Sequence, residues 1–300
     1  MLRRVWTVLL SAGIAPLMAH PLVAEAAPAP ALVEFYYGWV TPETGPDLQG
    51  YQDVVLGADS ESSSYPNYAS VQQLIASYPS ISFYGYVNLS DGSQPEPMAT
   101  IAQEFAEWKA LGVKGVFLDL AGSNYGVPRA LRTWAVLQAH ALGLSVALNA
   151  WAPSDAVGVG LAPGDVYVAE DWYMSSRQPQ VVYPNGTPAA DLAALRKLTA
   201  QGVGVWAVTQ ESVPTPSVTP DMVSRDVQGL LQTLPVMSGI AIGGANYGAD
   251  TNAIVPASEI QAALASAPAQ GSAAPVRVDH GPGASPAKRM LPWFRAIMRG

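Results

Sequence analysis

Cysteine is absent from the 300-residue chain, which excludes disulfides, thiolate metal sites and a thiol nucleophile. Histidine is almost as scarce. Of the three histidines, His20 lies near the start and His280 near the end. His140 sits in a helical stretch, where a packing or surface role is expected. A Ser-His-Asp triad or a histidine-rich metal site therefore has little raw material, and neither a metal nor another cofactor is expected. Charge is sparse too, at 13% of residues against 49% hydrophobic. That balance supports a large core and argues against global disorder. No P-loop is present, and Gly243-Gly244 alone is too little for phosphate binding.

The formal net charge of −8 is unevenly spread. Residues 271–300 hold Arg277, Lys288, Arg289, Arg295 and Arg299 against the lone Asp279, so the body before them is strongly acidic. An acidic body argues against a nucleic-acid partner and suits a neutral or cationic ligand. At the start, Arg3 and Arg4 precede an apolar run over 5–18, and Ala24-Glu25-Ala26 gives an A-x-A cleavage pattern. Residues 1–26 read as a cleaved secretory signal peptide, the run falling short of the about 20 residues that a membrane span needs. A secreted or extracytoplasmic location follows as an expectation. Residues 268–300 turn to Ala, Pro, Gly and Ser and read as a disordered basic tail. A solvated tail is preferred over one that contacts an anionic membrane surface, because Pro292 interrupts any helix.

Between these ends, eight short apolar runs recur at 32–38, 53–57, 81–87, 113–118, 144–148, 165–169, 203–208 and 239–242. Near-continuous apolar runs are what strands buried on both faces of a parallel sheet look like. Segments 98–111, 127–142, 189–200 and 220–233 carry helical spacing, and Gly112, Gly143 and Gly202 each separate a helix from the next strand. Eight βα units favour a closed (β/α)8 TIM barrel, α/β in class, forming a single domain over 27–267. The first crossover, 39–52, shows no convincing helix.

In such a barrel, function gathers at the C-terminal ends of the strands. Nearly every end here carries a carboxylate, an amide or an aromatic ring, groups that hydrogen-bond hydroxyls or stack on sugar faces. Two carboxylates follow buried strands abruptly: Asp119 after Val116-Phe117-Leu118, and Glu170 after Val166-Tyr167-Val168-Ala169. They are the expected catalytic pair, since glycoside hydrolysis ordinarily needs two carboxyls. Tyr36, Asp59, Asn88, Asp91, Asn149, Trp151, Asp171, Trp172, Gln210, Asn246 and Tyr247 are the expected substrate contacts. Tyr36, Trp151, Trp172 and Tyr247 have a competing reading as core, and Asp59 and Asp91 as turn caps. Glu34, inside strand one, is read as structural.

The Tyr84-Gly85-Tyr86-Val87 strand, the stretch from Trp108 through Gly112-Val113-Lys114-Gly115-Val116-Phe117-Leu118-Asp119, and Ala169-Glu170 resemble a family. It is the spherulin-4-like and endo-α-1,4-galactosaminidase group of barrel glycosidases, and the resemblance spans roughly 32–175. It implies that Asp119 and Glu170 take the places of family carboxylates implicated in catalysis. One departure stands out: spherulin-4-like members tend to carry Asp-Glu where this chain has Asp119-Leu120. The chitinase-type D-x-x-D-x-D-x-E run is also missing, so a chitinase is not expected.

The expected function is an extracytoplasmic glycoside hydrolase that cleaves a polysaccharide, one containing galactosamine if the resemblance holds. Its partner is then a polysaccharide or oligosaccharide, and a monomer is expected. Two alternatives stand beside it: a cell-surface barrel that binds glycan without cutting it, and an exported scaffold docked by its tail.

Overall fold

The computed structural model describes residues 29–170, 172–174, 178–179, 188–249 and 251–267. The expected signal peptide and basic tail lie outside them. Eight parallel strands form the barrel: β1 Ala31–Tyr36, β2 Asp53–Leu56, β3 Ser82–Asn88, β4 Gly115–Asp119, β5 Ser145–Leu148, β6 Val166–Ala169, β7 Gly204–Gln210 and β8 Gly239–Gly243. They follow one another in order around the wall, and β8 closes on β1 through the pairing of Ala31 with Gly239. All eight expected strands are present, so the chain is a (β/α)8 barrel.

The helices in between are α1 Thr44–Asp47, α2 Tyr68–Ser77, α3 Met98–Leu111, α4 Arg129–Ala141, α5 Pro153–Ala156, α6 Pro188–Thr199, α7 Pro220–Thr233 and α8 Ala257–Ser266. The weak first crossover is a real feature, for α1 is a single turn. Gly112 closes α3 at φ 86°, a left-handed conformation that costs glycine nothing, which is why the helix–glycine–strand pattern was readable.

Burial divides the strand residues by parity, as the pleat requires. Val33, Phe35, Val55, Tyr84, Tyr86, Phe117, Ala147, Val166, Val168, Trp206, Val208 and Ala241 fill the barrel. Their neighbours Leu32, Tyr36, Val54, Leu56, Val116, Leu118, Val146, Leu148, Tyr167 and Val205 pack outward against the helices. Both sets are apolar, so the strands need no alternation of apolar and polar residues. On the outer face, Gly85 lets α3 lie against β3: a Cβ there would stand 2.0 Å from the Trp108 ring. The buried indole of Trp108 donates to the Tyr86 carbonyl at 3.1 Å. Among the described residues, no helix is long and apolar enough to cross a membrane.

Candidate active site

The inward parity, carried one step past the apolar filling, selects the mouth of the barrel. After Phe35 comes Tyr37, after Tyr86 comes Asn88, and after Phe117 comes Asp119. Asn149, Glu170 and Gln210 follow Ala147, Val168 and Val208 in the same way. Six strands thus deliver one aromatic, three amides and two carboxylates to one layer at their C-terminal ends.

The two carboxylates are tied together. Asn149, which is 6% exposed, donates through its single side-chain nitrogen to Asp119 Oδ1 at 2.8 Å and to Glu170 Oε2 at 2.7 Å. An amide nitrogen carries two hydrogens, one for each oxygen. The remaining oxygen of Asp119, Oδ2, accepts from the Tyr86 hydroxyl, and Asn88 Oδ1 lies 3.1 Å from the same hydroxyl. The backbone N–H of Leu120 adds a further donor to Asp119. Leu120 has φ 49°, a left-handed conformation uncommon for a branched residue.

Electrostatics follow from this enclosure. Burial raises the Asp119 carboxyl above its ordinary value, opposed by the donors Tyr86, Leu120 and Asn149. Burial also pushes the Tyr86 phenol well above its usual value, and the Asp119 charge adds to this, so Tyr86 is held as a hydrogen donor. Tyr37 is raised in the same direction by burial, then by the charges of Asp119 and Glu170. Beneath the pair the floor is aromatic: the Tyr37 and Tyr86 rings meet edge to face at 5.7 Å, and Phe117 lies 5.4 Å from Tyr86. Tyr247, at φ 50° and 9% exposed, packs 5.6 Å from Phe35 and 6.0 Å from Tyr37.

Behind the layer, buried Arg132 spans two loops. It donates to the carbonyls of Ala121 and Val127 and pairs with Asp155 at 3.0 Å. Asp155 in turn accepts from the backbone of Ser123 at 2.7 Å. The loops after β4 and β5, which flank Asp119 and Asn149, are thereby fixed to each other. Among the described residues, no group of three or more histidines and carboxylates could hold a metal ion. A cavity of about 250 Å³ opens at the opposite end of the barrel between Asp53, Tyr84, Lys114, Asp165 and Trp206. Asp165 there is fully engaged by the backbone of Val146 and Ala162 and by His140, each at 2.8 Å.

No family model matches the sequence, and no curated protein matches it. Among solved structures, the chain is similar to the glycoside hydrolase domain of PelA from Pseudomonas aeruginosa, at 17% identity and TM-score 0.48, over 71% of this chain and 95% of that one. It is similar to xylanase 10C from Cellvibrio japonicus at 11% identity and TM-score 0.48, over 81% and 72% of the two chains. D-psicose 3-epimerase from Clostridium cellulolyticum H10 stands at 12% identity and TM-score 0.45, over 78% and 97%. The likeness is one of fold. A fold alone carries no function, which resides in the residues of the site.

Of the residues expected at the mouth, Asp119, Glu170, Asn88, Asn149 and Gln210 share the inward parity, and Tyr247 lies buried against the aromatic floor. Two aromatic expectations are corrected. Tyr36 faces the helices, one residue out of phase with the pocket; its hydroxyl donates to the Trp39 carbonyl at 2.8 Å and lies 3.2 Å from Thr44 Oγ1. Trp172 is fully buried and donates to Thr233 Oγ1 of α7 at 3.1 Å, because the chain turns outward after Glu170. Trp151 is half-buried against the outer core. Asp59 is exposed in a turn, and Asp91 caps its own loop by accepting from Ser93 and Gln94. Asn246 lies in the short 3-10 helix Ala245–Gly248, and Asp171 lies outside the described residues. Two residues of the site were missed in the sequence, Tyr37 and Tyr86. Tyr86 shares the parity of Asn88, and that signal was available.

Proposed function

We propose that this protein is an extracytoplasmic glycoside hydrolase that cuts a polysaccharide with Asp119 and Glu170. The observation that carries the reading is the Asn149 side chain, whose one nitrogen donates to both carboxylates. The bonded oxygens can be no farther apart than those two bonds laid end to end. Carboxyl groups about 5–5.5 Å apart belong to retaining glycosidases, whereas inverting ones need about 6.5–9.5 Å to admit a water.

We assign the nucleophile to Asp119, whose three donors, Tyr86, Asn149 and Leu120, oppose the burial that raises its carboxyl. Its oxygen bonds to the anomeric carbon as the glycosidic bond breaks. Glu170 acts as the acid and gives its proton to the departing oxygen. In the second half, Glu170 takes a proton from water, whose oxygen displaces Asp119 from the sugar. The acidic body supports a cationic polymer, such as partly deacetylated galactosamine chains. Leu120, at the place where the resembling family tends to carry a second acid, favours the other reading, a barrel that binds glycan without cutting it.

The test is product release from a panel of polysaccharides, including partly deacetylated galactosaminogalactan, by the parent, Asp119→Asn and Glu170→Gln. Each substitution is expected to lower kcat by about 10²–10⁴-fold. Parental activity in Asp119→Asn would refute the assignment. Binding without product from any form would establish the non-cleaving barrel.

A further inference from the structure

Trp39 stands just beyond β1, two residues after Tyr37, and is one of three large apolar side chains that are exposed among the described residues, at 40%. A single exposed indole is ordinary on a protein surface. What is not ordinary is how firmly this one is held. Its ring stacks on Tyr65 at 5.5 Å with the planes 15° apart, so one face is covered and the exposure belongs to the other face and the edge. Its backbone N–H donates to Asn252 Oδ1 at 2.7 Å, and its carbonyl accepts from Tyr36 at 2.8 Å. Asn252 itself adopts φ 54° to make that contact, and a side chain at Gly38 would stand 2.5 Å from its Oδ1. Tyr65 is 8% exposed, and Asn67 of the same loop donates to the Val40 carbonyl at 3.0 Å. Segments following β1, β2 and β8 therefore converge to fix one indole with an open face at the catalytic end of the barrel.

A flat ring held rigidly, backed on one side and wet on the other, matches the continuous C–H face of a pyranose, because the binding surface is ordered before the ligand arrives. The hydroxyls of Ser62 and Ser64, on the loop that also carries Tyr65, are hydrogen-bonded to each other at 2.8 Å. We infer that the open face of Trp39 is a subsite that stacks a pyranose unit of a polysaccharide outside the bond that is cut. The inference rests on the carbohydrate reading above but not on cleavage. In this arrangement Tyr36 is a positioning residue, holding the Trp39 carbonyl from below.

The experiment is polymer affinity by calorimetry, with partly deacetylated galactosaminogalactan, chitosan and xylan as probes and the full chain as the protein. The variants are Trp39→Ala, Trp39→Phe and, as a control for surface apolarity, Leu137→Ala, which removes another exposed side chain, on α4. Trp39→Ala is expected to weaken binding of the recognised polymer by about tenfold, with Trp39→Phe recovering most of it and Leu137→Ala matching the parent. Melting temperature checks that each variant folds. Equal affinity of Trp39→Ala and parent overturns the proposal, and so does a parent that binds none of the three polymers. A parent that binds but releases no product defeats the hydrolase reading alone and leaves this comparison intact.

Discussion

Glu34 offers a sharp test of the burial pattern, because the fold places a carboxyl where water cannot reach it. It lies on the outer face of β1, 4% exposed, between the strand and the loops that cover it. Burial raises its pKa from 4.5 to about 8, partly offset by a hydrogen bond with Tyr51 and by the Phe35 backbone. Because the folded pKa exceeds the unfolded one, the folded state binds more protons between pH 4.5 and 8, and its stability falls as pH rises through that window. At about 1.4 kcal/mol per tenfold change, the loss is on the order of 3 kcal/mol by pH 7 and 5 kcal/mol by pH 9. Glu34→Gln keeps the shape but cannot ionise. Urea unfolding of both proteins at pH 5, 7 and 9 should give similar stabilities at pH 5 and a growing advantage for the glutamine form above it. Glu61, raised to about 8, and Asp226, raised to about 7, titrate in both proteins and cancel in the difference. A difference that stays constant from pH 5 to 9 would refute the reasoning.

Two further outcomes follow from the site and its support. Asn149→Ala removes a donor from both carboxylates; hydrogen bonds to charged groups are worth about 1.5–3 kcal/mol, and losing one raises a carboxyl pKa. The acidic limb of the pH–rate profile should move up by about one pH unit while the fold persists, and an unmoved limb would show that the amide does not couple to the pair. Gly85→Ala drives a methyl into the Trp108 ring and should cost at least about 1–3 kcal/mol by thermal unfolding; a variant as stable as the parent would mean that α3 does not lie where it is described.

The strands were legible because apolar runs of four to seven residues have few other uses in a chain this rich in glycine turns. Asp119 and Glu170 were legible because a carboxylate directly after such a run marks a strand end. Side-chain phase was not. In Leu32-Val33-Glu34-Phe35-Tyr36-Tyr37, apolar residues serve both the barrel and the helices, so hydrophobicity gives no sign of which tyrosine faces in. Glu34 and Tyr36 share the outer face, and Phe35 and Tyr37 the inner one. The position of Trp172 was illegible for another reason, since parity lapses where the strand ends and the chain turns: the Trp172 backbone N–H donates to the Val208 carbonyl of β7 at 3.2 Å. Tyr86 belonged to a motif that signals the fold, which obscured its second role as donor to Asp119.

The phase of the strands also explains why the mouth has two unlike halves. From β3 to β7 the top inward position carries Asn88, Asp119, Asn149, Glu170 and Gln210, all polar. At the same level β2 and β8 supply Gly57 and Gly243, by their registers with Tyr36–Leu56 and Gln210. The glycines leave room that rings fill: a Cβ at Gly243 would stand 2.8 Å from the Tyr247 ring, and one at Gly57 would stand 3.6 Å from the ring of Tyr37. One half of the rim is therefore carboxylate and amide, and the other is aromatic. Trp39, on the loop after β1, extends the aromatic half outward. A sugar chain crossing such a mouth would lay its C–H faces on the rings and its linkage oxygen beside the acids. On the proposed function, separating flat apolar contact from proton transfer in this way would let the rings fix the chain without competing for the hydrogen bonds that hold Asp119 and Glu170 together.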